Sequence, residues 1–437
     1  MSEGVGSSER DGSERSTASA MPEAEAREGY MWVQSGPKSV EIPEEWEVRH
    51  FGDVFEKRHE KITAEEGEKI RYVGLDDIES DNIHLQDHDE NGAERSSTRG
   101  FREGDILFGK LRPYLNKAAV APFDGVCSSD IIPIYATGES TQRFLLYLMH
   151  SKIMRDRAIA TTSGTNLPRT SWGDLASAKF PYPSHPEQRR IAEVLSTVDE
   201  QIQQTEAVIE TAEKLKQGLM QDLYESGYES HQETKSRPFG TVPADWELGR
   251  IDSYAEVISG THVKSDLVTN DPTQTPYLTG PADFERTGFK VTKYTDSPKK
   301  FCEAGDVLIT VKGMGCGQSA LADQGVAISR QLKSIRPGES IDQRFLFYWL
   351  RRKEQVLNIL AEGTRQPGLS VSDIESFPLP IPPLEGQQKI GETLSTVEGK
   401  IVEETDYRDR LQELKRGLMQ DLLTGAVRVP GSIEAED

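Results

Sequence analysis

The sequence predicts an α+β protein assembled twice over: two globular parts of mixed helix and strand, each followed by one long helix. Three observations predict it. The chain repeats itself at an offset of 199 to 201 residues. Both copies carry short β-rich runs, DILFGKL and DVLITVK, beside helix-like stretches, QRFLLYLMHSKIM and QRFLFYWLRRKEQVLNIL. Each copy then passes through a proline cluster into a heptad pattern.

The repeat is legible letter by letter. IPEEWEV at 42–48 recurs as VPADWEL at 242–248, and EGDIL at 103–107 as AGDVL at 304–308. Arg143-Phe144-Leu145 recurs as Arg344-Phe345-Leu346, LSTV at 195–198 again at 394–397, and GLMQDL at 218–223 again at 417–422. A period of this length excludes a solenoid and reads as duplication of a two-part unit. The expected organisation is a disordered acidic tail over 1–40, a first domain over 41–185 and a first helix over 186–226. A linker over 227–240, a second domain over 241–383, a second helix over 384–424 and a tail over 425–437 complete it. Residues 3–28 hold seven acids against three arginines, a composition that buries little.

Each helix starts where proline permits, after FPYPSHPE at 180–187 and LPIPPLEG at 379–386. Apolar residues follow at spacings of 4, 3, 4: Ile191, Leu195, Val198 and Ile202 in the first, Ile390, Leu394, Val397 and Ile401 in the second. Leu215, Leu219 and Leu223 continue the first seam after a one-residue shift, and Leu414, Leu418 and Leu422 the second. At roughly 1.5 Å per residue, 35–40 residues reach about 55–60 Å. Neither helix has enough surrounding sequence to cover such a stripe alone, so each is expected to pair with the other. Thr205 against Glu404 and Ile209 against Arg408 interrupt the seam; the break either fixes register or marks where the stripe faces something else.

Composition bounds the chemistry. Lys and Arg number 51 against 73 Asp and Glu, a net charge of −22, which argues against a generic nucleic-acid coater and fits a salt-adapted protein. Cys127, Cys302 and Cys316 are too few and scattered for a disulfide framework or a zinc cluster, and read as small buried hydrophobes. No Walker loop, no HExxH and no amino-methyltransferase tetrad occurs, and Glu66/Glu68/Lys69 is a weak echo of a nuclease triplet. No apolar run approaches a membrane span and no secretory signal leads the chain, so an intracellular, cytoplasmic protein without metal or cofactor of its own is expected.

Local charge reverses in the globular parts. Residues 106–121 hold Lys110, Arg112 and Lys117 without an acid; residues 327–337 hold Arg330, Lys333 and Arg336 without an acid. The turns GTNLPR (164–169) and GTRQPG (363–368) add Asn166, Arg169, Arg365 and Gln366, and Lys312 and Gln331 lie in the matching second-copy loops. Arginine can bond guanine bidentately and Asn or Gln adenine. Over 187–225 the helix counts nine acids against four bases, so a DNA-facing surface belongs to the globular parts. The loops differ between copies, Ser129-Asp130 against Ser329-Arg330, while the framework is kept, as two readers of an asymmetric target require.

In this order of parts the chain resembles the specificity subunit of type I restriction–modification enzymes. The doubled GDIL, GT, Glu187-Gln188, LSTV and GLMQDL motifs, and LLTGAVRV at 422–429, carry the resemblance over residues 41–429. It implies two target recognition domains, each reading half of a bipartite double-stranded DNA site. It implies antiparallel helices that act as spacer and dock two methyltransferase subunits, with restriction (helicase–nuclease) subunits completing the complex. S-adenosylmethionine, ATP and Mg would then belong to the partners, and this chain would be non-catalytic. In the second copy Gly386 replaces the acid of Glu187. A reading of another class remains beside it: a coiled-coil interaction scaffold with two ligand-binding modules and no DNA role.

Overall fold

The computed structural model describes residues 25–35, 38–60, 69–90, 98–138, 140–228, 234–237, 240–313, 315–362 and 368–429. Most of the expected acidic tail, and Glu66 and Glu68, lie outside the described residues. The chain is α+β, and its two long helices run His185–Ser226 and Leu384–Thr424. Proline in the preceding strands and first turns fixes their starts. The chain divides into two compact units, and these are not the two sequence repeats. One is residues 1–202 with 410–437, the other 203–409. Each unit therefore takes a globular part, the first half of the helix that follows it, and the last half of the other helix.

In the first unit a four-stranded antiparallel sheet runs Phe55–Lys57, Ile131–Ala136, Ile106–Gly109, Ala118–Val120. A three-stranded sheet places Gly125–Ser128 between Tyr72–Val73 and Thr98–Phe101. In the second unit the four-stranded order recurs as Ala255–Ser259, Leu332–Pro337, Val307–Thr310, Ser319–Leu321. The smaller sheet grows to five strands with Val326–Ile328 next to its edge strand. The stretch read as one helix in the first copy is two, Gln142–His150 and Lys152–Ala160, because Ser151 turns extended and its Oγ accepts from Met154 N–H. Cys127, Cys302 and Cys316 are buried as expected, and burial pushes each thiol up from its ordinary range.

The helix ends close the cores. Ile191, Leu195, Leu422 and Leu423 join Phe144, Leu148 and Phe180 in the first unit. Leu223, Tyr224, Ile390 and Leu394 join Phe345, Trp349 and Leu379 in the second, with Leu219 against them. Tyr224 Oη donates to the Phe345 carbonyl at 2.6 Å. The helices are antiparallel in each unit. Val198 and Ile202 meet Leu411 and Leu418 in the first, where Lys415 Nζ lies 2.5 Å from Asp199. The second holds Lys216 Nζ 3.1 Å from Glu398, the repeat-equivalent pair with its order reversed. Ile401 is fully buried and Val397 half-buried. Leu215 and Leu414 depart from the expected seam: they are 53% and 51% exposed, because the one-residue shift rotates them away from the partner helix.

Three boundaries also differ from expectation. Tyr30–Ser35, read as tail, pairs with Lys38–Pro43, since Met31, Val33 and Val40 pack on the first core. Its repeat, Thr234–Arg237 against Gly240–Pro243, occupies the expected linker. After the second helix, Arg428 Nε donates to Glu187 Oε1 at 2.6 Å, which holds residues 425–429 on the first unit.

Candidate nucleic-acid interface

Three loops converge in the first unit. Lys110 N–H donates to the Asp130 carbonyl at 2.9 Å, Thr170 N–H to the Lys110 carbonyl at 3.1 Å and Arg112 N–H to the Pro168 carbonyl at 2.8 Å. Strand ends at 106–109 and 131–136 bring the first two loops together, and the hairpin closed by Ser163 and Arg169 supplies the third. Two of the basic windows picked from sequence, 106–121 and 164–169, thus share one surface with Ser129-Asp130. Arg112 has a left-handed backbone with φ 51°, a conformation that costs a non-glycine residue roughly 1–2 kcal/mol. The Pro168 bond holds it there, and Arg112 is exposed.

The same frame recurs in the second unit with different tips. Val311 N–H donates to the Gln331 carbonyl at 2.8 Å and Leu369 N–H to the Val311 carbonyl at 3.0 Å. These bonds correct the loop match made from sequence. Ser128 Oγ accepts Asp130 N–H at 3.3 Å, and Ser329 Oγ accepts Gln331 N–H at 3.1 Å. Asp130 therefore corresponds to Gln331, and Ser129 to Arg330. On the same frame Arg169 corresponds to Gly368, where a Cβ would sit 2.8 Å from the Val311 carbonyl.

The candidate side chains separate by environment. Lys110 is half-buried; desolvation, then repulsion from Arg99 and Arg169, lowers its pKa against the pull of Asp130. Lys117 is committed inward, its Nζ donating to the Leu75 carbonyl at 2.8 Å. Asn166 is exposed at the hairpin tip. Arg169 is bound bidentately by Asp130, at 2.8 Å from Nε and 3.1 Å from Nη2. That guanidinium holds the Asp130 carboxyl below the usual carboxylate range. Lys312, Arg330 and Gln331 are exposed. Lys333 leaves the surface set: it is buried, its Nζ donating to Ser259 Oγ at 3.0 Å, and desolvation with Lys312 nearby lowers its pKa. The basic window runs into the strand Leu332–Pro337, which carries Lys333 inward, while Arg330 stays on the exposed loop before it. Arg365 and Gln366 lie outside the described residues.

Sequence reasoning missed a neighbouring cleft of about 350 Å³ lined by Lys57, Arg58, His59, Glu60, Thr98, Arg99 and Ser129. Arg58 is spent on Asp105, at 2.5 and 2.7 Å, so Lys57, His59 and Arg99 are its remaining basic lining. The signal was weak because Lys57-Arg58-His59 and Arg99 are far apart in sequence. The Glu187 departure also finds its reason. Trp46 Nε1 donates to Glu187 Oε2 at 2.8 Å, beside Arg428, whereas Trp246 packs edge-on to Phe345 with no acid at Gly386. Gln188 and Gln387 are kept because each accepts the N–H that opens the domain helix, from Thr141 at 3.2 Å and Asp342 at 2.8 Å. Among the described residues no cluster of three or more His, Cys, Asp or Glu could hold a metal, and no helix is long and apolar enough to cross a membrane.

Comparison with known proteins gives a consistent answer. The model of the family described as Type I restriction modification DNA specificity domain matches twice, at residues 43–214 and 243–414. A specificity subunit assigned to the type I restriction enzyme MjaX of Methanocaldococcus jannaschii is 28% identical over 405 residues, 89% of this chain and 95% of the relative. The fold is shared with a type I restriction–modification S subunit from M. genitalium, with TM-score 0.61 and 16% identity over 86% of this chain and 96% of that one. It is shared also with a chain solved in a study of complex assembly and conformational transition of the type I R-M system. There the TM-score is 0.55 and the identity 24%, over 88% of this chain and 99% of that one.

Proposed function

The chain belongs to the family of type I restriction modification DNA specificity domains, and from that membership we propose that it is the DNA sequence-specificity subunit of such a complex, a non-catalytic reader of duplex DNA. Each unit reads one half of a bipartite, asymmetric site. The paired helices set the unread gap and dock two methyltransferase subunits. Partner subunits bring S-adenosylmethionine, ATP and Mg, and with them adenine methylation and, where restriction subunits are present, translocation and cleavage in the cytoplasm.

One observation carries this reading. The same backbone hydrogen-bond frame recurs in both units, and the side chains on it differ: exposed Arg112 and Asn166 with the half-buried Asp130–Arg169 pair in one, exposed Lys312, Arg330 and Gln331 in the other. Phosphate-contacting bases position a duplex, while amide and guanidinium groups discriminate base edges. The helices add support for docking. Val208 and Leu215 on the first, and their equivalents Tyr407 and Leu414 on the second, are apolar, exposed and seven residues apart.

The test is co-expression with candidate methyltransferase subunits and mapping of modified adenines. A bipartite motif whose one half alone changes when residues 41–185 are exchanged supports the reading. Methylation that needs no motif, or exchange that alters both halves, overturns it.

A further inference from the structure

We propose that Arg169, held by Asp130, is a guanine reader of the first unit, and that Asp130 is its positioning residue. The inference rests on the DNA-reading role above and names one base within it.

A guanidinium has five N–H donors in one plane. Nε and Nη2 give two of them to Asp130 Oδ1 and Oδ2, at 2.8 and 3.1 Å. Nη1 gives one to the Leu167 carbonyl at 3.4 Å. Two donors are left, one on Nη1 and one on Nη2, parallel at the far end of the group. Guanine offers two adjacent acceptors, O6 and N7, in the major groove. Adenine places a donor beside N7, cytosine presents a donor, and thymine has a single acceptor, so none matches a two-donor fork.

Phosphate also accepts a bidentate arginine, and the sequence dependence of the loss decides between them. Asp130 offsets the charge of Arg169 but also faces Lys110, whose Nζ lies 3.9 Å from Oδ1, so the clamp weakens the long-range attraction to a phosphate without cancelling it. The directional donors remain. The same clamp fixes the fork before DNA arrives, so binding costs little side-chain freedom. The pair is built at a loop tip: Arg169 keeps 39% of its side-chain exposure and Asp130 23%. The second unit lacks it, with Gln331 at the Asp130 position and Gly368 at the Arg169 position, so the effect is confined to one half-site.

The experiment uses the chain co-purified with its methyltransferase subunits, S-adenosylmethionine and a plasmid library carrying randomised sites. Methylated sites are sequenced for the wild type, Arg169→Ala, Asp130→Asn and, as the control in the other unit, Gln331→Ala. The half belonging to the first unit is assigned by exchange of residues 41–185. Expected is one guanine, or its paired cytosine, in that half whose preference falls about 5- to 150-fold in Arg169→Ala, with the second half unchanged. Asp130→Asn lowers the same preference and steepens the salt dependence of binding, because it frees a positive charge. A merely structural role for Asp130 leaves that slope flat. Preference unchanged at every position overturns the proposal, as does uniform weakening across sequences, the mark of a phosphate contact, or a first half without a G·C pair. If Arg169→Ala abolishes methylation, Asp130→Asn decides alone. A wild type without any motif overturns the DNA-reading role itself, an outcome distinct from these.

Discussion

Glu187 joins three parts of the first unit at one buried carboxylate, and Glu187→Ala tests whether that junction holds the chain's end in place. Its side chain is 3% exposed. It accepts from Trp46 Nε1 at 2.8 Å and from Arg428 Nε at 2.6 Å, and it sits in the first turn of a long helix. The Ala variant leaves the buried indole N–H without its acceptor, at about 1–3 kcal/mol. It also removes the charge-assisted bond to Arg428, about 1.5–3 kcal/mol, part of which returns because Arg428 can hydrate. Loss of a first-turn acid adds about 0.3–1 kcal/mol. The sum, about 3–5 kcal/mol, agrees with the cost of breaking a buried pair. For a unit of this size it lowers the melting temperature by roughly 10 °C. Hydrogen-exchange mass spectrometry localises the effect: protection falls over residues 38–50, 179–195 and 420–429 and is kept over 240–362. Glu187→Gln, which retains the Trp46 acceptor, falls between. A shift below about 2 °C, or an equal drop in protection in both units, refutes the reasoning.

Three further outcomes follow from the same geometry. Replacing Arg112, Lys312 and Arg330 with Ala weakens duplex binding across sequences, and every phosphate no longer neutralised lowers the slope of log K against log salt by about 0.9; an unchanged slope shows these tips do not meet phosphate. His150 is buried, and desolvation outweighs its Ala118 carbonyl contact to hold its pKa at about 4. Its folded value lies below its unfolded one, so stability is complete above pH 6.5 and falls toward pH 4, by up to about 3 kcal/mol; urea titrations of His150→Gln show a flatter pH dependence, and an identical slope sinks the assignment. A double-mutant cycle of Asp199→Ala and Lys415→Ala returns a coupling above about 1 kcal/mol, while coupling near zero means the 2.5 Å pair does not bind the helices together.

The long helices were legible almost to the residue, because a proline stop, a 4-3-4 spacing and a duplicate all point the same way. The seam beyond it was not. Leu215 and Leu414 continue the pattern on paper, yet a shift of one residue turns a side chain by about 100° on a helix, enough to carry both from the interface to solvent. The compact units were hidden for a related reason. Sequence similarity marks what was copied, whereas packing marks what touches, and Leu422 and Leu423 touch the domain at the far end of the chain in sequence.

The candidate site was legible in part. Two loops picked by charge, 110–112 and 164–169, share a surface. The charge windows could not tell which cations are free. Lys117 and Lys333 turn to Leu75 and Ser259, a choice set by strand direction and not by composition. They also could not tell that Asp130 belongs to Arg169. A pattern that counts acids against bases scores that pair as zero, yet the clamp fixes the direction of the guanidinium donors. The net charge of −22 misleads in the same way. Acids concentrated on the helices, and acids clamped to arginines in the loops, subtract from the total without covering the exposed tips of Arg112, Lys312 and Arg330. What a reader of DNA needs is a local surplus of positive charge, and the shared backbone frame carries exposed cations in both units.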